Sequence, residues 1–253
     1  MNKPAKGRIR NAFERAAKSY DQAADIQRRV CQTLARGLAC HDAESLLDAG
    51  CGTSYAHALL RQHAPRGEIL ALDLSTAMLA QVAAPCRKIA GDIEQLPLAD
   101  ASIDLYWSSF ALQWCDLAPS LQEARRTLRA GGQLAIATLG PETFHELRSA
   151  FAGVDAYRHT LGFCPPDELR ILAKDLGLQA VDLIESTETA FYPDFRQLLL
   201  AVKAIGANQV GRGQRTGLMS RSAFLKAEAA YETLRREAGL PLSYHVLYLH
   251  ARV

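Results

Sequence analysis

Short apolar runs alternate with amphipathic stretches through most of the chain. The runs predict strands at residues 45–48, 68–72, 87–90, 103–108 and 132–138. Helical periodicity separates them near residues 55–62, 78–83 and 120–128. Strands that alternate with helices favour right-handed crossovers and a parallel sheet. The pattern therefore predicts an α/β fold with a mostly parallel sheet.

Helical patterns also occur at both ends of this core. Residues 11–39 carry apolar positions at helical spacing and predict a single N-terminal helix. Near the C-terminus, a strand is predicted at 180–190, and residues 243–253 alternate like a terminal edge strand. The segment 191–242 between them is too long for a hairpin loop, so we expect an inserted helical cap.

The most informative motif is Asp48-Ala49-Gly50-Cys51-Gly52, which ends the first predicted strand. Glycines at such a turn permit tight dihedral angles and the close approach of a ligand. Ser54 stands where a third glycine often falls. The second predicted strand ends in Asp73, an acid that can accept two hydrogen bonds from a ribose diol. Together, the loop and the acid predict a cofactor that contains a nucleoside.

Two further predicted strands end in polar residues. Asp92 follows the third strand, where it can accept the exocyclic amine of adenine, and Ser108 ends the fourth. Since the carboxyl ends of parallel strands form the ligand crevice, we expect Asp48, Asp73 and Asp92 to converge. Three acids suit the ammonium, sulfonium, ribose and adenine groups of S-adenosyl-L-methionine. They suit a dinucleotide pyrophosphate poorly, which leaves a dehydrogenase as a less favoured alternative.

Composition limits the cellular environments and the partners that we expect for this protein. The 253 residues carry a formal net charge of +2, which is too small to imply nucleic acid by itself. No apolar stretch approaches the roughly 18 residues that cross a bilayer. The six cysteines show neither a Cys-x-x-Cys pair nor zinc-type spacing. We therefore expect reduced thiols, a cytoplasmic protein, no metal site, and neither nucleic acid nor a membrane as a partner.

The order of these motifs resembles that of class I S-adenosylmethionine-dependent methyltransferases. The matching segments are residues 46–53, 71–75, 91–93 and 128–132. The resemblance implies a Rossmann-like α/β fold with a mostly parallel seven-stranded sheet, an antiparallel last strand, an N-terminal helical cap and a helical insertion before the last strand. It also implies S-adenosyl-L-methionine as the cofactor.

The same resemblance assigns roles to residues at the strand ends. The implied methionine site is Asp48, Gly50 and Gly52, and the implied ribose ligand is Asp73. The adenine ring would pack on Leu74 and Met78, with its edge on Asp92 and Ile93. Gln27 and Ser108 complete the predicted cofactor-binding set.

Narrower similarities reach both ends of the chain. Segments that are similar to the malonyl-[acyl-carrier protein] O-methyltransferases of biotin biosynthesis (the BioC family) are 13–21, 91–98, 112–115, 143–147 and 203–207. This similarity implies methylation of the free carboxylate of a malonyl thioester, on an acyl carrier protein or on coenzyme A. The methyl ester would start pimeloyl synthesis. It further implies one methyltransferase domain over residues 1–253, with a cap at 1–40, a core at 41–190, the insertion at 191–242 and a terminal strand at 243–253.

A malonyl carboxylate is already ionised at neutral pH, so the reaction needs no general base. Tyr20 and His145 are the candidate catalytic residues, because each could donate a hydrogen bond to the substrate. A set of arginines could dock an acidic carrier: Arg15, Arg28, Arg29, Arg212 and Arg215. Two alternatives stay open: a methyltransferase for another small carboxylic acid or a quinone, and a non-catalytic assembly factor that binds the cofactor.

Overall fold

A computed structural model of the protein describes residues 3–39, 42–83, 85–204 and 219–253. The strands are β1 Ser45–Ala49, β2 Glu68–Asp73, β3 Arg87–Ala90, β4 Ile103–Ser109, β5 Leu128–Leu139, β6 Gln179–Tyr192 and β7 Leu240–Arg252. Within the described residues they form one seven-stranded sheet in the order β3-β2-β1-β4-β5-β7-β6. Strands β1 to β5 pair in parallel, and β7 pairs antiparallel with both neighbours. The predicted fold is confirmed.

The sheet reverses its strand order beside β1, and this reversal positions the site. Leu46 pairs with Ile69 of β2 on one side and with Leu105 of β4 on the other. Leu46 and Leu105 are fully buried, as expected for parallel strands that are covered on both faces. A crevice therefore opens at the carboxyl ends of β1 and β4, where open α/β sheets bind ligands.

Helices cover both faces of the sheet. They are α1 Lys6–Ala16, α2 Asp25–Arg36, α3 Ala56–His63, α4 Thr76–Gln81, α5 Leu117–Thr127, α6 His145–Ala152, α7 Pro166–Asp175, α8 Phe195–Ala204 and α9 Arg221–Glu232. The predicted helical insertion is confirmed by α8 and α9, which pack through Phe195 and Tyr231 at a ring separation of 5.2 Å. In the described part of the chain, no helix combines the length and the apolar character needed to cross a membrane.

The prediction of one continuous N-terminal helix over residues 11–39 is wrong. Helix α1 ends at Ala16, a 3₁₀ turn follows at Tyr20–Ala23, and α2 begins at Asp25. Short polar side chains favour such a break because they hydrogen-bond outside the helix. Here the Thr53 hydroxyl donates to Asp21 Oδ1 at 2.6 Å, which ties the turn to the glycine loop.

The prediction of a terminal edge strand is also wrong, because β7 lies between β5 and β6. Nearly all side chains of β7 are buried, although polar and apolar residues alternate along it. Two of its polar residues contact neighbouring elements: the ring of His245 lies 3.0 Å from Glu185, and the Ser243 amide donates to Glu146. The alternation of polar and apolar residues in β7 therefore does not indicate a strand face that is exposed to solvent.

Candidate cofactor and active site

Two adjoining cavities lie at the carboxyl ends of β1, β2 and β4. The large cavity has a volume of about 680 Å³ and the small cavity about 490 Å³, both including space open to solvent. The residues that line both cavities are Tyr20, Gly50, Gly52 and Ser109. The two cavities therefore form one continuous site for an elongated ligand.

The glycine loop forms the floor between the cavities. Gly50 has a φ of +78° and Gly52 a φ of +52°, in the left-handed region that favours glycine. A Cβ at Gly50 would lie 2.3 Å from the Cβ of Ala111, so a side chain does not fit there. Ser54 also has a positive φ, +73°. At the position where the motif often has a third glycine, Ser54 therefore adopts a strained backbone conformation.

Asp73 at the end of β2 faces the large cavity. Its Oδ2 accepts the Gly52 amide at 2.9 Å, and its Oδ1 accepts the Ser75 amide at 2.8 Å. Burial raises the pKa of Asp73, and the two amides oppose this rise. Each carboxylate oxygen has two lone pairs, so the orienting amides leave acceptor capacity for a ribose diol. The geometry fits the predicted role of this residue.

Asp92 lies on the opposite wall of the large cavity, where it pairs with a cation that the sequence did not predict. Lys6 of α1 contacts Asp92 and lies 2.8 Å from Glu94. Partial burial works against the charge of Lys6, but hydrogen bonds with the two acids raise its pKa overall. Helix α1 therefore covers this cavity, and Ile9 and Phe13 supply its apolar lining.

The small cavity collects buried polar atoms without hydrogen-bond partners among the described residues. They are Gln27 Oε1, Asp48 Oδ2, Trp107 Nε1 and Ser109 Oγ. A buried group left unpaired costs about 1–3 kcal/mol, so such a cluster points to a polar ligand. The first two atoms accept hydrogen bonds and the third donates one, which suits the ammonium and carboxylate groups of an amino acid. The residues present thus fit the methionine end of S-adenosylmethionine.

Asp48 is 2% exposed and has a histidine beside it. Its Oδ2 lies 3.2 Å from Nε2 of His57 on α3, but the two atoms are not aligned for a hydrogen bond. The carboxylate is therefore available to a cationic ligand.

The cavities bring together most of the predicted site residues. Those lining one or both are Tyr20, Gln27, Asp48, Gly50, Gly52, Asp73, Leu74, Met78, Asp92 and Ile93. Met78 is held in place because its amide donates to the Ser75 hydroxyl, which caps α4. Trp114 also lines the large cavity, beside Phe13.

Two predicted residues line neither cavity. The Ser108 hydroxyl is fully buried and donates to the Ala49 carbonyl at 2.7 Å, whereas Ser109 reaches both cavities. Side chains alternate across a strand, and β4 extends one residue further than predicted. His145 begins α6 with its side chain 49% exposed and Nδ1 3.2 Å from the Glu142 carbonyl. Its placement does not support contact with the ligand.

Tyr20 occupies the junction of the two cavities. Burial raises the pKa of its hydroxyl, and the nearby Cys31, Asp73 and Asp21 raise it further, while Gln27 opposes the shift by a hydrogen bond. The phenol is therefore protonated over the physiological range and can donate a hydrogen bond. The break between α1 and α2 directs it here, a feature that helical periodicity could not reveal.

A doubly wound sheet with a glycine loop, Asp73 and acidic walls at its switch point defines a methyltransferase domain. A family described as "Methyltransferase domain" matches residues 47–136. Among solved structures, the YcgJ protein of Bacillus subtilis aligns with a TM-score of 0.61 at 15% identity, over 88% of this chain and 97% of that one. At this identity the likeness shows the fold.

Comparison with curated proteins shows which methyltransferase family the chain belongs to. The malonyl-[acyl-carrier protein] O-methyltransferase of Dechloromonas aromatica is 62% identical over 99% of this chain and 95% of its own length. The biotin biosynthesis bifunctional protein BioHC of Teredinibacter turnerae is 37% identical over 98% of this chain and 47% of its own length. The chain belongs to the malonyl-[acyl-carrier protein] O-methyltransferase family.

Proposed function

We propose that this protein transfers the methyl group of S-adenosyl-L-methionine to the free carboxylate of malonyl-[acyl-carrier protein]. The observation that carries the substrate assignment is the 62% identity, over nearly the full chain, to a protein named for this reaction. The paired cavities support the cofactor independently. Asp73 would hold the ribose, Asp48 and Gln27 the ammonium group, and Trp107 the methionine carboxylate.

S-adenosylmethionine, when bound, supplies a methyl group on a sulfonium leaving group. The protein's own contribution is positioning, because a malonyl carboxylate is ionised at neutral pH and needs no base. Tyr20 is suited to hold the carboxylate, since its side chain lines both cavities and its hydroxyl is protonated. Alignment of two reactants at about 3 Å can supply several kcal/mol of the barrier.

Exclusion of water is the second contribution. Ile9 and Phe13 of α1 form an apolar cover on the large cavity, and the ring of Phe13 packs edge-on against Trp114 at 5.7 Å. A carboxylate that has lost its hydration shell is a better nucleophile than a hydrated one. A cover of this kind keeps the site dry while it is closed.

We further propose that the methyl ester enters pimeloyl synthesis for biotin in the cytoplasm. The name of the BioHC relative supports the pathway. In the described residues the cysteines are free thiols, in keeping with a reducing compartment.

The structure supports only part of the predicted arginine surface for the carrier. Arg28 pairs with Asp25 at 2.6 Å, and Arg29 pairs with Glu188 at 2.8 Å, so their charges are partly neutralised. Arg212 and Arg215 lie outside the described residues. Arg15, exposed in the last turn of α1, is the docking candidate that we retain.

A methyl-transfer assay tests the proposed function. The purified protein is incubated with S-adenosylmethionine and malonyl-[acyl-carrier protein], and mass spectrometry follows the carrier. We expect the carrier to gain one methyl group, and acetyl-[acyl-carrier protein], which lacks a free carboxylate, to gain none. Cofactor binding without turnover on the malonyl carrier would favour an assembly factor, and turnover only on a quinone or a small free acid would favour the other alternative.

A further inference from the structure

A third cavity lies beside α6 and the loop that leads to α7. We call it the arginine cavity, and its polar lining includes Arg148, Arg158, His159 and Asp155. Two arginines face a single acid there. The acids Asp73, Asp92 and Glu94 outnumber Lys6 in the large cavity. The arginine cavity is therefore suited to an anion, in contrast to the cofactor site.

One guanidinium in this cavity is available to a ligand. Arg158 is exposed and pairs with no acid in the part of the chain that the structure describes. Its neighbours are fixed in place: Arg148 donates to the Pro141 carbonyl at 2.8 Å, and His159 Nε2 lies 2.8 Å from Asp155. The His159 ring also stacks on Phe151 at 3.7 Å. The site thus has a rigid wall and an uncommitted cation.

A row of aromatic rings connects the arginine cavity to the cofactor site. Phe110 lines the large cavity, Phe163 lines the arginine cavity, and Tyr244 and Phe144 lie between them. Successive ring centroids are 6.5, 4.8 and 6.5 Å apart. The rings of Phe110 and Phe163 are therefore separated by at most about 18 Å, the sum of these three distances.

This span corresponds to the arm on which carrier proteins hold an acyl group. The arm runs from the thioester through two amide units to a phosphate that is linked to the carrier. Its extended length is about 15–20 Å, comparable to about five residues of extended chain. The arm is therefore long enough to cover the straight-line distance between Phe110 of the large cavity and Phe163 of the arginine cavity.

We propose that the arginine cavity binds the phosphate of the carrier's thioester arm, with Arg158 as its principal ligand. This inference rests on the proposed function and names a substrate subsite for it. Arginine suits the role because its planar fork of N–H groups matches two phosphate oxygens. Another arginine-lined cavity lies at the opposite sheet edge, but its Arg126 is held by Glu123 and Asp100.

The test compares two small substrates that differ only in the phosphate: malonyl-phosphopantetheine and malonyl-pantetheine. For the wild-type protein we expect kcat/KM to be at least about tenfold higher with the phosphate present, as for a hydrogen bond to a charged group. Arg158→Ala should bring the ratio of the two values close to one, and Arg158→Lys should restore part of it. Arg170→Ala is the matched control, since Arg170 is on α7 and pairs with Asp167 outside this cavity.

An unchanged ratio in Arg158→Ala, or a wild-type ratio near one, would overturn the inference. Calorimetry with phosphopantetheine separates this failure from a failure of the proposed function, because it needs no turnover. We expect its Kd to rise at least about tenfold in Arg158→Ala. Equal Kd values would count against the subsite whatever the activity, whereas no methylation of either substrate by the wild type would count against the proposed function.

Discussion

The ammonium group of Lys6 lies 2.8 Å from the carboxylate of Glu94 and also pairs with Asp92. These contacts join the first helix to the loop that follows β3, across the mouth of the large cavity. Because α1 covers part of this cavity, we expect exchange of a ligand of the size of S-adenosylmethionine to require movement of the helix. We therefore predict that the ion pair slows cofactor exchange by holding α1 in place, as a latch.

Removal of the latch should speed cofactor release. An ion pair as exposed as this one contributes about 0.2–1 kcal/mol, so Lys6→Met should raise the dissociation rate of S-adenosylhomocysteine by about 1.4-fold to fivefold. Stopped-flow displacement measures the rate. Arg10→Met is the control, because Arg10 is on the same helix and pairs only weakly with Glu14 at 3.8 Å. Equal rates for wild type and Lys6→Met would exclude a latch.

The Tyr20 hydroxyl should matter for turnover more than for cofactor affinity. A hydrogen bond to a charged group contributes about 1.5–3 kcal/mol, so Tyr20→Phe should lower kcat/KM for the malonyl substrate at least about tenfold. The protonated phenol is the donor, and burial raises its pKa above the ordinary value near 10. The wild-type rate should therefore show no loss between pH 7 and about pH 9 from this group.

Tyr248→Phe is the control for this variant, since Tyr248 lies in β7 and lines neither cavity. It should retain wild-type kinetics. Normal kcat/KM in the Tyr20→Phe enzyme would exclude a role for the Tyr20 hydroxyl in turnover.

Ser54 offers a test of backbone strain in the glycine loop. Its φ of +73° is unfavourable for an L-residue by about 1–2 kcal/mol, and glycine avoids most of this penalty. Ser54→Gly should raise the free energy of unfolding by about 0.5–1 kcal/mol in urea titrations, after allowance for the greater freedom of glycine in the unfolded chain. Ser19→Gly, where φ is −112°, should not stabilise the protein. Loss of stability in Ser54→Gly would contradict the assignment of strain.

Asp104 ties three strands together at the edge of the sheet opposite the site. Its carboxylate accepts the amides of Glu44 and Ser45, both at 2.9 Å, and pairs with Arg129 at 2.8 Å. Burial opposes the charged form, but these partners lower the pKa of Asp104 overall. The contribution to stability is therefore complete above the unfolded-state pKa near 4, and it is lost as the pH falls through the lower folded-state value.

Asp104→Asn should consequently be less stable than wild type by about 1–3 kcal/mol at pH 7. Urea unfolding at a series of pH values should give a constant difference from pH 7 to about pH 5 and a narrowing one only below about pH 4. Asp100→Asn should change stability by less than about 1 kcal/mol, because Asp100 is 79% exposed. A difference that closes by pH 5 would refute this explanation.

Most of the residues that sequence reasoning predicted for the cofactor site line the two cavities of the candidate site, because the acids among them follow local rules. Asp48 and Asp73 end apolar runs, and the ends of neighbouring parallel strands must meet at one edge of the sheet. The Lys6–Asp92 pair could not be found in this way, because the residues are 86 positions apart and meet only through packing of α1. Ser108 was predicted in place of its neighbour Ser109. Successive residues of a strand point to opposite faces of the sheet, so this shift of one position exchanges a residue that lines the cavities for one that does not.

The order of the last strands depends on packing that a local pattern does not encode. The alternation in β7 resembles that of an edge strand, yet His245 and Ser243 contact neighbouring elements. The N-terminal break also depends on a distant contact, the hydrogen bond from Thr53 to Asp21. Because that break brings Tyr20 to the cavities, the position of Tyr20 could not be predicted from the sequence.

The proposed function requires that the cavities at the ends of β1 and β2 bind S-adenosylmethionine, with Asp73 as the acceptor for its ribose. Isothermal titration calorimetry of Asp73→Ala with S-adenosylhomocysteine tests it most directly, with Asp100→Ala as an exposed acidic control and circular dichroism to verify folding. Loss of two hydrogen bonds to a carboxylate should weaken binding about 100-fold or more. Affinity within about threefold of wild type in a folded Asp73→Ala protein, or no binding by the wild type, would contradict this assignment of the cofactor site.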